Sequence, residues 1–358
     1  MSPSKNIPIS FIKLSLKLIW VLLGGSCLAP IDLSTENIGG KLVVSGQISP
    51  IQDQCVIQLG LTADIDRLPF PLSGAYITLL DDAGESYSYI EDPLSPGSYI
   101  LTAVSGIPER TYQIQITTPD GEVYESTPEK MPEAVGQLTT DYEILFEEFT
   151  DLEGTVSNEP FVKIYSNTIL PVTSEPSYLK WSIEEAFLLS PTDFPDPFGN
   201  TPPLCYIVQN ADPQRIELFD GAELKTTSIS NLLVGSRIVD WTFLEKHYFT
   251  TYQTSLTKEA HEYWRKVNIL SNQVGSIFDT PPAQINGNIF NVNDRSEKVL
   301  GYFQAANQTF DRFFLLPFDL PFPVTQVCRY NPIVDEYPPR CLNCLSVRNS
   351  SYTRPSWF

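Results

Sequence analysis

The stretch Thr111-Tyr112-Gln113-Ile114-Gln115-Ile116-Thr117 decides the fold class of this chain. Large apolar side chains alternate in it with polar ones, which is typical of a β-strand with one buried face. The same period of two recurs at residues 41–48 and 178–187, and turn sequences such as Asp120-Gly121 separate the strands. About seven short strands in residues 41–127 predict a small sandwich of the immunoglobulin-like or transthyretin-like kind.

A larger β-rich domain is predicted at residues 138–358, after a proline-containing linker at residues 127–137. Further strands are expected at residues 141–153, 178–187, 205–209, 246–252, 298–304 and 309–316. One helix is expected near residues 257–273, because Thr257 can cap its start and an apolar stripe follows. That stripe consists of Ala260, Tyr263, Trp264, Val267 and Leu270. The predicted fold is therefore mainly β, an N-terminal sandwich followed by a larger β-rich domain with one main α-helix.

The first residues have the features of an export signal. Three lysines and no acid precede the apolar run at residues 18–23, and small residues follow it up to Cys27. A membrane-spanning helix would need about 20 apolar residues, and this run is shorter. We expect residues 1–26 to be a lipoprotein signal peptide, Cys27 to carry the lipid, and residues 27–40 to form the tether. Gly24 departs from the leucine usual at that position, and the alternatives are an ordinary secreted protein or an uncleaved anchor.

The charge of the chain excludes two classes of partner. It carries 23 basic and 43 acidic side chains, a formal net charge of −20. Nucleic-acid binding requires a basic footprint, so no nucleic-acid partner is expected. Electrostatic adhesion to anionic lipid is disfavoured for the same reason, so a covalent lipid on Cys27 would have to hold the protein at a bilayer.

The remaining cysteines fit an oxidising compartment, where exported proteins keep disulfides. Cys55 alternates in phase with Ile57 and Leu59, which predicts a small apolar side chain in a core. The other four are candidates for disulfides in pairings that the sequence leaves open: Cys205, Cys328, Cys341 and Cys344. The Cys341-x-x-Cys344 spacing also occurs in zinc and redox sites, and the disulfide interpretation is favoured over both.

The sequence contains no recognisable catalytic set. His247 and His261 are its two histidines, and neither has a second histidine at helical spacing. It has no nucleophile elbow and no phosphate-binding glycine loop. We therefore predict no enzyme activity, no metal and no cofactor, with a hydrolase that uses two carboxylates as the less favoured alternative. A second alternative is a surface protein that binds glycans or peptides through Phe194, Phe198 and Tyr206.

Several blocks of residues resemble one known family. These blocks are residues 260–264, 274–279, 281–289 and 299–305, of which the part from Phe278 to Phe303 is the most specific. Further blocks are residues 41–46, 73–78, 106–112, 341–344 and 354–358. With these blocks the chain resembles the domain of unknown function 4249 family. Its members are lipoproteins of Gram-negative bacteria, commonly encoded beside TonB-dependent outer-membrane receptors. The C-terminal block departs from the family, because the arginine and paired glycines after its second cysteine are missing.

The resemblance implies a location and a partner but no chemistry. It implies an outer-membrane protein, anchored in the bilayer through Cys27, at the periplasmic face or the cell surface. It also implies an accessory or binding component of a TonB-dependent nutrient uptake system, with a TonB-dependent receptor as partner and an unknown ligand. Within the most specific region, Asn286-Gly287 indicates a hairpin turn. Asn288 and Asn291 are expected to satisfy loop backbone, with ligand binding as the alternative.

Overall fold

Strands dominate the computed structural model of the chain, which describes residues 39–63, 70–151, 153–189, 204–272, 285–325 and 339–358. The predicted fold class, mainly β with one main helix, is confirmed. Strands β1 to β10 are Leu42–Ile48, Val56–Leu61, Phe70–Pro71, Tyr76–Asp81, Ser86–Ser88, Ile90–Glu91, Ser98–Ile100, Thr111–Thr117, Val123–Ser126 and Glu129–Lys130. Strands β11 to β21 are Gln137–Thr150, Val156–Ile169, Tyr178–Leu189, Cys205–Asn210, Glu217–Asp220, Ser228–Ile238, His247–Leu256, Ile289–Asn291, Leu300–Ala305, Asn307–Leu315 and Ser350–Ser351. The helices are α1, Lys258–Asn272, and α2, Pro339–Leu342; 3₁₀ turns occupy Gln52–Gln54, Trp241–Leu244, Pro317–Asp319 and Cys344–Ser346.

The predicted N-terminal sandwich is present and consists of two sheets around one core. Sheet A has the strand order β19-β1-β2-β7-β6 with β3 beside β2, and sheet B has the order β18-β9-β8-β4-β5 with β10 beside β8. Tyr112, Ile114 and Ile116 point into the shared core, as their alternation predicts. Cys55 is a buried free thiol in the same core, which confirms its expected role as a small apolar side chain.

Two strands of this sandwich come from far along the chain. Strand β19, expected from the pattern at residues 298–304, pairs in parallel with β1, and β18 pairs with β9. A local hydrophobic pattern predicts a strand but does not encode its pairing partner. The pairing depends on Gly301, which has a φ of +98° and a backbone so close to β1 that a Cβ atom would lie 1.8 Å from the Val44 carbonyl oxygen.

The second sandwich contains the strands predicted between residues 141 and 316, apart from β19. Sheet C has the order β11-β12-β16, and sheet D has the order β20-β17-β13-β14-β21 with β15 beside β13. Trp181, Ile183 and Phe249 of sheet D share a core with Val162 and Ile164 of sheet C. Every residue of the central strand β17 is buried, so this strand is covered on both faces.

Helix α1 follows β17 directly and packs against both sandwiches through its first turns. The Thr257 hydroxyl accepts a hydrogen bond from the Ala260 amide (3.1 Å), which confirms the predicted cap. The predicted apolar stripe is only partly correct, because Leu270 is 40% exposed while His261 is buried against the ring of Tyr178. The second half of the helix lies beyond the surface that Tyr178 and its neighbours provide. None of the helices among the described residues is long and apolar enough to cross a membrane.

A disulfide joins Cys205 of β14 to Cys344, with the two Cα atoms 5.8 Å apart. Two of the four candidate cysteines therefore form a disulfide with each other, and Cys341 is disulfide-bonded as well. Because Cys344 bonds to Cys205, the Cys341-x-x-Cys344 pair is not a redox or zinc motif. Cys328 lies outside the described residues, as do Cys27 and the predicted signal peptide. Within the described ranges, no group of three or more acidic, histidine or cysteine side chains is placed to hold a metal ion.

Candidate functional site

A cavity of about 480 Å³ lies where the N-terminal sandwich meets the start of helix α1, and we call it the junction cavity. Its volume is within the range of small-ligand sites. It is lined by Thr127, Pro128, Glu129, Lys130, Thr257, Glu259, Glu262, Tyr263, Lys266, Asn286, Gly287, Asn288 and Tyr302. This lining has no Val, Leu, Ile, Met or Phe side chain and consists largely of polar groups and two tyrosines. The cavity is therefore suited to a polar ligand.

The wall of the junction cavity is organised around the buried carboxylate of Glu129, which is 4% exposed. The Tyr302 hydroxyl donates to Glu129 Oε1 at 2.5 Å, and the Thr257 hydroxyl donates to Oε2 at 2.9 Å. Asn288 Nδ2 approaches Oε1 at 3.4 Å. Both carboxylate oxygens therefore have donors from the protein, as a buried charge requires.

The groups that bind Glu129 also fix their own segments of the chain. Thr257 caps helix α1 through the same hydroxyl that donates to Glu129. Asn288 forms a pair of hydrogen bonds with the Phe303 backbone, accepting from its N–H at 2.9 Å and donating to its carbonyl at 2.8 Å. One buried acid thus joins β10, the helix start, the segment before β18 and strand β19. The expectation that Asn288 satisfies backbone is confirmed.

The electrostatics of the Glu129–Tyr302 pair keep the proton on the Tyr302 hydroxyl. Burial raises the pKa of Glu129, although the hydrogen bonds from Tyr302 and Thr257 act in the opposite direction. Burial also raises the pKa of Tyr302, and the neighbouring Glu129 charge raises it further. Glu259 adds a small upward contribution to the pKa of Glu129 from the cavity mouth. Because both its oxygens are occupied, Glu129 acts as an anchor of the wall rather than as a free acid or base.

The mouth of the junction cavity carries exposed charges of both signs. Glu259, Glu262 and Lys266 project from successive turns of α1 and are exposed. The ring of Tyr263 packs 4.9 Å from the ring of Tyr302, centroid to centroid, and forms the aromatic part of the wall. The mouth thus combines hydrogen-bonding groups and one ring surface, which is how proteins orient small polar ligands.

Several features of this site escape prediction from sequence. Glu129 lies in the segment predicted as a linker, and an isolated glutamate between prolines carries no pattern of burial. The hairpin turn predicted at Asn286-Gly287 is wrong, because neither residue lies in a turn; the strand that follows, β18, pairs with β9. Gly287 allows its backbone to lie close to that of Gly301, since a Cβ atom at residue 287 would lie 1.6 Å from the Gly301 carbonyl oxygen. Asn288 and Tyr302 do fall within the blocks that carry the family resemblance, which is the one sequence signal pointing to this place.

A second buried polar cluster lies in sheet D and involves His247. Its Nε2 lies 2.9 Å from Glu185 Oε2, and Arg237 Nε donates to the same oxygen at 2.8 Å. Burial acts to raise the pKa of Glu185, but the bonds and charges of His247 and Arg237 bring the net pKa below its usual value. Phe243 stacks on His247 with ring centroids 4.0 Å apart. With Glu185 and His247 at most 1% exposed, this cluster stabilises the sandwich.

Of the three aromatic residues predicted for a glycan or peptide site, the described structure contains Tyr206. Phe194 and Phe198 lie outside the described residues. Tyr206 packs edge-on against Phe358, with centroids 5.1 Å apart. His261, the other histidine, lies on the buried side of α1, and burial lowers its pKa.

Fold and site define a protein of two β-sandwiches with a polar, ligand-sized cavity between the N-terminal sandwich and the start of helix α1. Residues 29–312 match the family model described as domain of unknown function (DUF4249), and this match covers well over half of the chain. The chain belongs to that family. No curated protein and no solved structure gives a significant match to this chain.

Proposed function

We propose that the chain is a lipid-anchored binding protein of the outer membrane that serves a TonB-dependent nutrient uptake system. The observation that carries the binding role is the junction cavity, which has a polar lining and a wall held rigid through Glu129. A rigid, solvent-open cavity of about 480 Å³ fits a small polar ligand better than a macromolecule. The proposal needs no cofactor and assigns no reaction.

The proposed location of the protein rests on its N-terminal sequence and on its disulfide. The lipoprotein signal at residues 1–26 with Cys27 supports export and a lipid anchor in the bilayer. The Cys205–Cys344 disulfide supports an oxidising compartment outside the cytoplasm. The receptor partner, and the choice between the periplasmic face and the cell surface, follow from the family resemblance alone.

Co-purification tests the partner. The tagged chain is expressed with the TonB-dependent receptor encoded by the neighbouring gene, and membranes are extracted in a mild detergent. We expect a complex of defined stoichiometry, and we expect Cys27→Ser to reduce its yield because the untethered chain leaves the membrane. A lone protein in the extract, or a gene without a receptor neighbour, would end the receptor proposal.

The junction cavity is tested separately through its mouth. Tyr263→Ala removes the ring surface, and Ile269→Ala, the control, removes an exposed apolar side chain further along α1 that does not line the cavity. We expect Tyr263→Ala alone to impair growth on the nutrient that the system imports, at unchanged protein level and receptor association. Equal growth of the two variants would show that the cavity does not serve uptake.

A further inference from the structure

The outward side of strand β20 carries an uncommon run of side chains. Phe310 and Phe314 are 46% and 45% exposed, and the half-buried Arg312 lies between them. Lys246, just before β17, and Trp357 near the end of the chain lie beside them. We call these five residues the cation–aromatic strip.

Both cations of the strip rest on aromatic rings. The Lys246 ammonium lies 3.8 Å from the ring centroid of Phe314, and the Arg312 guanidinium lies 3.6 Å from that of Trp357. Arg312 also lies 5.3 Å from the Phe310 centroid and donates from Nε to the Thr250 hydroxyl at 2.7 Å. These contacts hold each cation in a defined position.

Neither Lys246 nor Arg312 forms an ion pair within the described structure. This is unexpected in a chain with 43 acidic and 23 basic side chains. Arg237, by contrast, pairs with Glu185 at 2.8 Å. The acid that faces the strip, Glu184, feels the Arg312 charge but forms no salt bridge with it. Because neither cation is in a salt bridge with a carboxylate of the described structure, both can form an ion pair with an anion from solution.

The combination of groups selects the class of ligand. Half-exposed phenylalanine rings offer flat apolar surface, which suits the C–H faces of a sugar ring. Arginine and lysine beside those rings suit carboxylates, with which arginine forms two parallel hydrogen bonds. Strand β20 is an edge strand of sheet D, but the strip consists of side chains on the face of that sheet, whereas an extended peptide is usually bound through the backbone of the edge itself.

We propose that the cation–aromatic strip binds an acidic oligosaccharide. Sugar rings pack on Phe310 and Phe314, and sugar carboxylates meet Arg312 and Lys246. The strong negative charge of the remaining chain restricts the site to a short acidic segment, because a long polyanion would be repelled outside the strip. The strip shares no residue with the junction cavity, so this proposal stands independently of the proposed function.

Calorimetry on the purified full chain in detergent tests the proposal. The probes are trigalacturonate, neutral maltotriose and triglutamate. The double variant Lys246→Gln with Arg312→Gln removes both charges. Arg295→Gln is the matched control, because Arg295 lies 3.7 Å over Phe290 on a different sheet. Phe310→Ser removes an exposed ring and tests the same site even if the double variant folds poorly.

We expect trigalacturonate to bind at least about tenfold more tightly than maltotriose or triglutamate, and less tightly as salt increases. The double variant and Phe310→Ser should each weaken it by about tenfold or more, a loss of about 1.4 kcal/mol. Arg295→Gln should leave it unchanged. Absence of trigalacturonate binding, equal binding of maltotriose or triglutamate, or an equal loss in Arg295→Gln would overturn the proposal.

Discussion

Replacing Tyr302 with phenylalanine tests the account of the junction cavity most closely. The change removes one hydroxyl, which donates to the buried Glu129 carboxylate at 2.5 Å. A hydrogen bond to a charged group contributes about 1.5–3 kcal/mol, and one to a neutral group about 0.5–1.5 kcal/mol. Glu129 is 4% exposed, and the donor that remains near its Oε1 is Asn288 Nδ2 at 3.4 Å, a long hydrogen bond. We therefore expect Tyr302→Phe to lower the free energy of unfolding by about 2–3 kcal/mol at about pH 8.

The loss should depend on pH in a defined direction. Burial raises the pKa of Glu129 in the folded state, so its ionisation as pH rises through that pKa costs stability. Removing the Tyr302 donor raises this pKa further, because the donor favours the ionised form. Because its pKa is raised, Glu129 takes up a proton at a higher pH than a solvated glutamate does, so the difference between variant and wild type should be smaller at about pH 5 than at about pH 8.

Urea denaturation of both proteins at the two pH values measures these differences. The control is Tyr263→Phe, which removes a hydroxyl from the neighbouring ring that has no hydrogen-bond partner in the described structure. The control should change stability by less than about 0.5 kcal/mol at either pH. A Tyr302→Phe loss that equals the control, or that grows toward pH 5, would refute the role given to Glu129.

Three further changes test the rest of the fold. Glu185→Gln should cost about 3–5 kcal/mol in urea denaturation, because it leaves buried Arg237 with the partly exposed Asp240, 3.3 Å away, as its remaining carboxylate; a loss below about 1 kcal/mol would contradict this. Cys344→Ser should cost about 2–5 kcal/mol without reductant, because its disulfide spans 139 residues, and this difference from wild type should vanish when reductant is added to both. Gly301→Ala should prevent β19 from pairing with β1, because its Cβ would clash with the Val44 carbonyl; a cooperative, wild-type melting transition would contradict this.

The local pattern of apolar and polar residues determines how much of this fold can be predicted from the sequence. The alternation at Tyr112, Ile114 and Ile116 reports which side chains are buried, and each of them is at most 2% exposed. The same holds for Leu179 and Trp181 in the second sandwich. Strand positions follow from such spacing because the burial of one sheet face repeats every second residue.

The pairing of strands that are far apart in the sequence cannot be predicted from such a local pattern. Val43 pairs with Leu300, and the sequence at either position does not indicate the other. The junction cavity arises from this pairing, because β19 brings Tyr302 to Glu129. The sequence does not distinguish a buried glutamate from a solvated one, so the burial of Glu129 could be recognised only from the structure.

The N-terminus of the membrane-extracted protein offers the most direct test of the central claim, that this is a tethered envelope protein. Mass spectrometry of its first peptide should show a chain that begins at Cys27 with diacylglycerol on the thiol. Cys27→Ser should move the protein from the detergent phase to the aqueous phase. A chain that keeps residues 1–26, or a Cys27 with an unmodified thiol in membrane-extracted protein, would contradict the account.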